Sequence, residues 1–199
     1  VRIIIACEES QVVCNEFRKR GHEAYSCDII NCSGGHPEWH IKDDVLNHLD
    51  DGWDMMIAHP VCKYLANSGV KHLHIDIKRW PKLFEAAIFF NKLKNANIKK
   101  KCIENPIPHK YAVQLIGGKY DQLVQPWQFG HLESKATCFW LEGLGKLKHT
   151  NNVREEMLKL PKSEQNRVHY MSPGKDRERL RSVFYSGIAR AMADQWGLT

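Results

Sequence analysis

The chain has 199 residues, enough for one domain with a single sizeable core and barely enough for two. Hydrophobic residues make up 43% and charged residues 26%, an ordinary globular balance, and no apolar run approaches the ~20 residues that cross a bilayer. The 29 basic and 23 acidic residues give a net charge of +6, which permits a polyanionic partner without demanding one.

The start, Val1-Arg-Ile-Ile-Ile5, lacks the length and cleavage pattern of a signal peptide, so a cytoplasmic protein is expected. The seven cysteines, Cys7, Cys14, Cys27, Cys32, Cys62, Cys102 and Cys138, are odd in number and scattered. They suit a reducing compartment and argue against a disulfide framework.

In chain order, the β-branched run Arg2 to Ala6 is predicted to be a buried first strand. Ser10 is placed to cap a helix whose Val13 and Phe17 fall one turn apart, and Gly21 ends it. A second strand follows through Ala24 to Cys27, with Asp28 at its end. Strand, helix and strand in so short a span predict a right-handed parallel unit. Ligands of such units lie over the carboxyl ends of the strands, and an acid in the position of Asp28 can bond ribose hydroxyls. A turn or helix-cap aspartate is the alternative. The first loop, Cys7-Glu8-Glu9-Ser10, has no glycine and is not a pyrophosphate loop; its acids suit a ligand with a cationic or uncharged end.

Cys27, Cys32, His36 and His40 are the right ligand types for zinc, but the spacing Cys-x4-Cys-x3-His-x3-His is off the common patterns and no metal is expected. Ile41 to Leu49 carries Asp43 and Asp44. A strand from Asp54 to Ala58 then breaks at His59-Pro60 into a loop with Cys62. A thiol leaving a central strand is placed for chemistry, although a free cysteine is more commonly a small buried hydrophobe.

Pro81 begins an amphipathic helix to about Asn95, with Leu83, Phe84, Ala87, Ile88 and Leu93 on or near one face and Phe89 and Phe90 in the core. The short strand from Lys101 ends at Glu104-Asn105, where Pro106 and Pro108 prevent regular continuation. Gln122 to Trp127 and Thr137 to Leu141 are predicted as two more strands. The polar stretch 143–173 is expected to be an insertion or mobile segment of a single domain spanning 1–199. A helical pattern from Asp176 to Trp196 closes the chain, and there are no internal repeats.

This order of features resembles the cytosine-C5 DNA methyltransferases, most clearly in Gly52-Trp-Asp-Met-Met-Ile-Ala-His-Pro-Val-Cys-Lys-Tyr-Leu-Ala-Asn-Ser-Gly69, where Ser68 and Gly69 follow Cys62 at the family's spacing. Glu104-Asn105 looks like the family's Glu-Asn pair, and Tyr185-Ser-Gly-Ile-Ala-Arg-Ala-Met-Ala193 like its closing helix. The resemblance implies a Rossmann-like α/β fold with a mostly parallel central sheet and helices on both faces, and S-adenosylmethionine as cofactor. It implies Cys62 as nucleophile and Glu104 as the acid on the base. Glu8, Asp28, Asp44, His59 and Pro60 would line the cofactor side, and Ser68, Asn105 and Lys135 the substrate side. The implied partner is DNA with its cytosine flipped out, or a cytosine nucleotide.

Three departures stand out: Val61 replaces the family's proline before the cysteine, the first loop lacks glycines, and the glutamine-and-arginine segment is reduced to Glu133, Lys135 and Thr137. Only about 40 residues are available for target recognition, which implies little sequence specificity, a protein partner that supplies it, or a smaller substrate; the resemblance further implies a compact, phage-type member in a host cytoplasm. Modification of free nucleotides, transfer of a group other than methyl, and an inactive binding module are the alternatives.

Overall fold

The computed structural model describes residues 1–174 and 177–198, without the side chains of Glu178 and Arg179. The strands are β1 (Arg2–Ala6), β2 (Glu23–Asp28), β3 (His40–Lys42), β4 (Met55–Ala58), β5 (Lys100–Pro106), β6 (Gln122–Val124) and β7 (Thr137–Glu142). The helices are α1 (Val12–Arg18), α2 (Val70–Ile75), α3 (Arg79–Lys94), α4 (Lys110–Leu115), α5 (Arg154–Leu158), α6 (Lys162–Gln165), α7 (Arg167–Tyr170), α8 (Arg177–Ser182) and α9 (Ser186–Trp196).

The strands form one seven-stranded sheet in the order β3-β2-β1-β4-β5-β7-β6. Five neighbouring strands, from β3 across to β5, are mutually parallel, and β7 runs antiparallel to both β5 and β6. This is the expected mostly parallel α/β architecture. β1 and β4 are apolar on both faces because helices cover both, so their side chains divide by alternation. Ile3, Ile5, Met55, Ile57 and Cys102 pack with Val13 and Phe17 of α1 and Ile188, Met192 and Trp196 of α9. Ile4, Ala6, Met56, Ala58 and Ile103 pack with Leu83, Ala87, Phe90 and Leu93 of α3. Each fully buried side chain of this size stabilises the fold by roughly 1.5–3 kcal/mol.

Several boundaries differ from the sequence reading. α1 begins at Val12 rather than after a Ser10 cap. Gln11, in a left-handed conformation (φ 57°), turns the chain, and the Glu8 carboxylate takes over the cap by accepting from the amides of Val13 (2.7 Å) and Cys14 (3.1 Å). In α3 the buried stripe is Leu83, Ala87, Phe90 and Leu93, while Phe84 and Ile88 point outward, a helical step of about 100° off that stripe. β6 stops at Val124 because Pro126 begins a 3₁₀ turn closed by a Gln125–Gln128 capping box.

The expected final helix is two. Its expected start at Asp176 lies outside the described residues, and Val183 to Tyr185 separate α8 from α9 because Phe184 and Tyr185 turn into the core. The 143–173 stretch carries α5, α6 and α7, with the buried Gln165 accepting through its carbonyl from the Ser134 amide (2.7 Å). Among the described residues no helix is long and apolar enough to cross a membrane.

Candidate active site

The carboxyl ends of β1, β2, β4 and β5 face the same edge of the sheet, and the loops leaving them carry the chemistry. In the parallel ladder Ala58 lies beside Ile103, so the next step sets His59 alongside Glu104. His59 Nδ1 lies 3.6 Å from Glu104 Oε2, with the two side chains only 12% and 13% exposed. The His59 amide donates to the Ala6 carbonyl (2.9 Å), and its ring packs on Phe184 with centroids 4.7 Å apart. Nε2 of His59 is buried and has no hydrogen-bond partner among the described residues.

Pro60 is buried, Val61 is exposed, and Cys62 is half-buried. The Cys62 carbonyl accepts from the amides of Leu65 (3.0 Å) and Ala66 (2.9 Å), which winds the loop into a turn. The segment after β5 holds that turn in place. The Asn67 amide donates to the Ile107 carbonyl (2.7 Å), and the His109 amide donates to the Leu65 carbonyl (3.0 Å). Burial pushes the Cys62 thiol up from its ordinary value, the Glu104 charge adds to that, and Lys135 and Arg181 pull the other way. Lys135 donates from Nζ to the Arg181 carbonyl (2.9 Å) and lies 5.6 Å from the Tyr185 ring centroid. Ser68 is exposed in the 3₁₀ turn Asn67–Gly69. Asn105 is fully buried, and neither its Oδ1 nor its Nδ2 has a partner.

The cofactor-side residues form a second group. Asp28, at the end of β2, accepts through Oδ1 from the Ile30 amide (3.3 Å), and burial raises its carboxyl. Asp44 accepts through Oδ1 from the Leu46 amide (3.0 Å). Cys27, Asp28 and Asp44 all act electrostatically on Cys7, so these groups surround the carboxyl end of β1. The Ile29 amide also donates to the Asp28 carboxylate.

Glu8 has a structural role that the sequence did not show. Both of its oxygens are spent on α1 amides, so it closes the helix end as an internal anion, and burial raises its carboxyl. The α1 amides of Val13 and Cys14 are thereby occupied within the protein. The loop is also braced from the side. The Ser33 amide donates to the Glu9 carbonyl (2.8 Å), Gln11 and His36 exchange two hydrogen bonds, and Gly34 lies so close to the Gln11 side chain and the Ser10 carbonyl that a Cβ would collide. Among the described residues no cluster of His, Cys, Asp and Glu is arranged to hold a metal.

The structure therefore brings His59, Cys62, Glu104 and Lys135 together, and Asp28 and Asp44 beside them. Sequence reasoning missed Arg181, Phe184 and His109 as site residues. Arg181 was one of three arginines, with Arg177 and Arg179, early in the closing helical pattern, and nothing in the sequence marked which would face the thiol.

No family model matches this chain, and no curated protein matches it by sequence. Among solved structures it is similar to the methyltransferase EhMeth of Entamoeba histolytica, with a TM-score of 0.51 and 14% identity over 76% of this chain and 57% of that one. Weaker likenesses are to a prophage-encoded E. coli protein described as a DNA modification methyltransferase (TM-score 0.48, 14% identity, 81% of this chain and 56% of that one) and to the S. pombe Dnmt2 methyltransferase (0.47, 12%, 90% and 62%). The likeness to EhMeth is one of fold, a Rossmann-like α/β methyltransferase fold. The chain spans 56–62% of the length of these three structures.

Proposed function

We propose that this chain is an S-adenosylmethionine-dependent methyltransferase that modifies C5 of cytosine in DNA, with residues 1–199 forming one catalytic domain. The observation that carries the reading is the convergence of a thiol, an acid and a cation, Cys62, Glu104 and Lys135, at neighbouring strand ends of a methyltransferase fold. Cytosine C5 is a weak nucleophile. A thiolate that adds to C6 makes the ring an enamine and moves reactivity to C5. Glu104 in its acid form would donate to ring N3, and Lys135 would offset charge developing on the ring.

The cofactor, held by Asp28 at its ribose and Asp44 at its adenine amine, supplies an electrophilic methyl group. DNA is favoured over a free nucleotide by the net charge of +6 and by the exposed Lys71, Lys78 and Lys82 that follow the Cys62 loop. A base taken from a duplex must be flipped out, at a cost of a few kcal/mol.

The test is transfer of labelled methyl from the cofactor to DNA and to deoxycytidine monophosphate, with wild type and Cys62→Ser. Label in DNA that disappears in Cys62→Ser supports the reading; label retained in that variant removes Cys62 as nucleophile. A second reading, a nucleic-acid-binding module without turnover, is favoured by the upward displacement of the Cys62 thiol by burial and Glu104. It is separated from the first by DNA binding without any label transfer.

A further inference from the structure

We propose that His59 is a positioning residue for Glu104: it donates from Nδ1–H to Oε2 and so turns Oε1 toward the substrate ring. The inference rests on the cytosine reading for its chemistry, and on the sheet for its geometry. His59 and Glu104 are neighbours because each directly follows the last pair of the β4–β5 ladder, Ala58 and Ile103. They share a face because alternation puts Met55 and Ile57 of β4 and Cys102 of β5 in one core cluster, and His59 and Glu104 follow in the same phase. Backbone register thus sets the two side chains beside each other on one face.

The ring has little freedom to turn away. Its backbone amide is tied to Ala6, and Phe184, from the link between α8 and α9, packs on it. Glu8, from the loop after β1, lies within electrostatic reach, Cys62 is three residues on, and Glu104 is the carboxylate at Nδ1. The 3.6 Å separation is beyond an ideal N–H···O bond, as catalytic contacts commonly are before substrate binds. Among the described residues Nε2 has no partner, so none of them competes for the other tautomer.

The tautomer decides where the acid proton sits. If Nδ1 carries hydrogen, Oε2 accepts it and the acid proton belongs on Oε1, free to meet ring N3. If Nδ1 is a lone pair, Glu104 must place its proton on Oε2, pointing at His59 and away from the base. In the first arrangement the S–C6 bond forms, the C5=C6 electron pair moves into the enamine, and the Oε1 proton passes to N3, leaving Glu104 a carboxylate. The Nδ1–H···Oε2 bond strengthens as that negative charge appears. After methyl transfer a water molecule acting as base takes the C5 proton, the C–H electron pair restores the C5=C6 bond, the S–C6 pair leaves with the Cys62 thiolate, and the N3 proton returns to Glu104.

The experiment has two arms. Imidazole 15N spectra of the wild-type chain, with His59 assigned through His59→Asn, are expected to show Nδ1 protonated and its shift displaced in Glu104→Gln. An unprotonated Nδ1, or a shift indifferent to Glu104→Gln, overturns the proposal. In the kinetic arm His59→Asn, whose amide N–H can replace Nδ1–H, is expected to keep kcat within a few-fold. His59→Phe, which keeps the stack on Phe184 but has no donor, is expected to lose kcat about 100-fold with KM for DNA unchanged. Equal losses in the two variants overturn it. If the wild type transfers no methyl to any acceptor, the cytosine reading fails, and the spectra still decide whether His59 holds Glu104.

Discussion

His109 donates from Nε2 to the Tyr64 carbonyl (2.8 Å) while its Nδ1 accepts from the Ala112 amide (3.1 Å), so one buried ring ties the Cys62 loop to the start of α4. Accepting at Nδ1 fixes the tautomer, which makes Nε2 the donor. His109→Ala removes both bonds and leaves a cavity beneath the loop, with an expected cost of about 2–3 kcal/mol. The Leu65 and Ala66 amides, whose protons reach the Cys62 carbonyl, should exchange faster than those of β1 in the same variant. Amide exchange by mass spectrometry checks this; uniform acceleration would mean that the bolt is global rather than local.

Glu16 is the hub between α1 and α9. It pairs with Lys19 (2.7 Å) and Arg20 (2.9 Å), and Arg20 reaches on to Asp194 (2.6 Å). Burial by itself would raise the Glu16 carboxyl, but the hydrogen bonds and charges of Lys19 and Arg20 outweigh it and hold the carboxyl below its ordinary value. A depressed carboxyl contributes stability that is present above its unfolded value near 4.5 and lost as pH falls through the folded one. Glu16→Gln should therefore cost about 1–2 kcal/mol at pH 7 and progressively less below about pH 4, read from urea unfolding at both pH values.

How far the sequence foretold this arrangement depended on how local each signal was. β1, β4 and the core of α3 were legible because their apolar runs are buried on a known period, and Cys62 and Glu104 because each follows such a run. β3, α2 and α4 were not. His40 to Lys42 is a strand only because β2 lies beside it, and Val70 to Ile75 exposes most of its length. The break before α9 was hidden because helical period continues through it, while the burial of Phe184 and the bond from Tyr185 Oη to Glu133 (2.8 Å) depend on distant partners. The capping of α1 by Glu8 was hidden for a similar reason, since a carboxylate in a loop gives no sign that a helix end will claim it.

Asp28 offers the cofactor side a test that does not require turnover. Burial raises its carboxyl, so the acid is partly desolvated and a hydrogen bond from a ribose hydroxyl would be made against little competing water. Asp28→Ala should weaken S-adenosylmethionine binding about 10- to 100-fold, whereas Asp54→Ala, at the opposite end of the sheet where Asp54 accepts from the Arg2 amide (2.7 Å), should leave it unchanged. Calorimetric titration measures both. An unchanged affinity in Asp28→Ala would place the nucleoside elsewhere.

The reactivity of Cys62 follows from the charges around it. Burial and Glu104 raise its thiol, and Lys135 and Arg181 oppose them, so in the free protein at neutral pH the thiol form prevails. Alkylation of Cys62 should be slow at pH 7.5 and quicken as pH climbs above the ordinary thiol value of 9.0. Glu104→Gln removes the carboxylate contribution and should speed alkylation at pH 7.5 several-fold, while Lys135→Met should slow it. The opposite order would mean that packing alone controls access to the sulfur. Mass-spectrometric quantification of the Cys62 peptide reads this directly and separates it from Cys7 and Cys32, which are half-buried like Cys62, while Cys14, Cys27, Cys102 and Cys138 are buried.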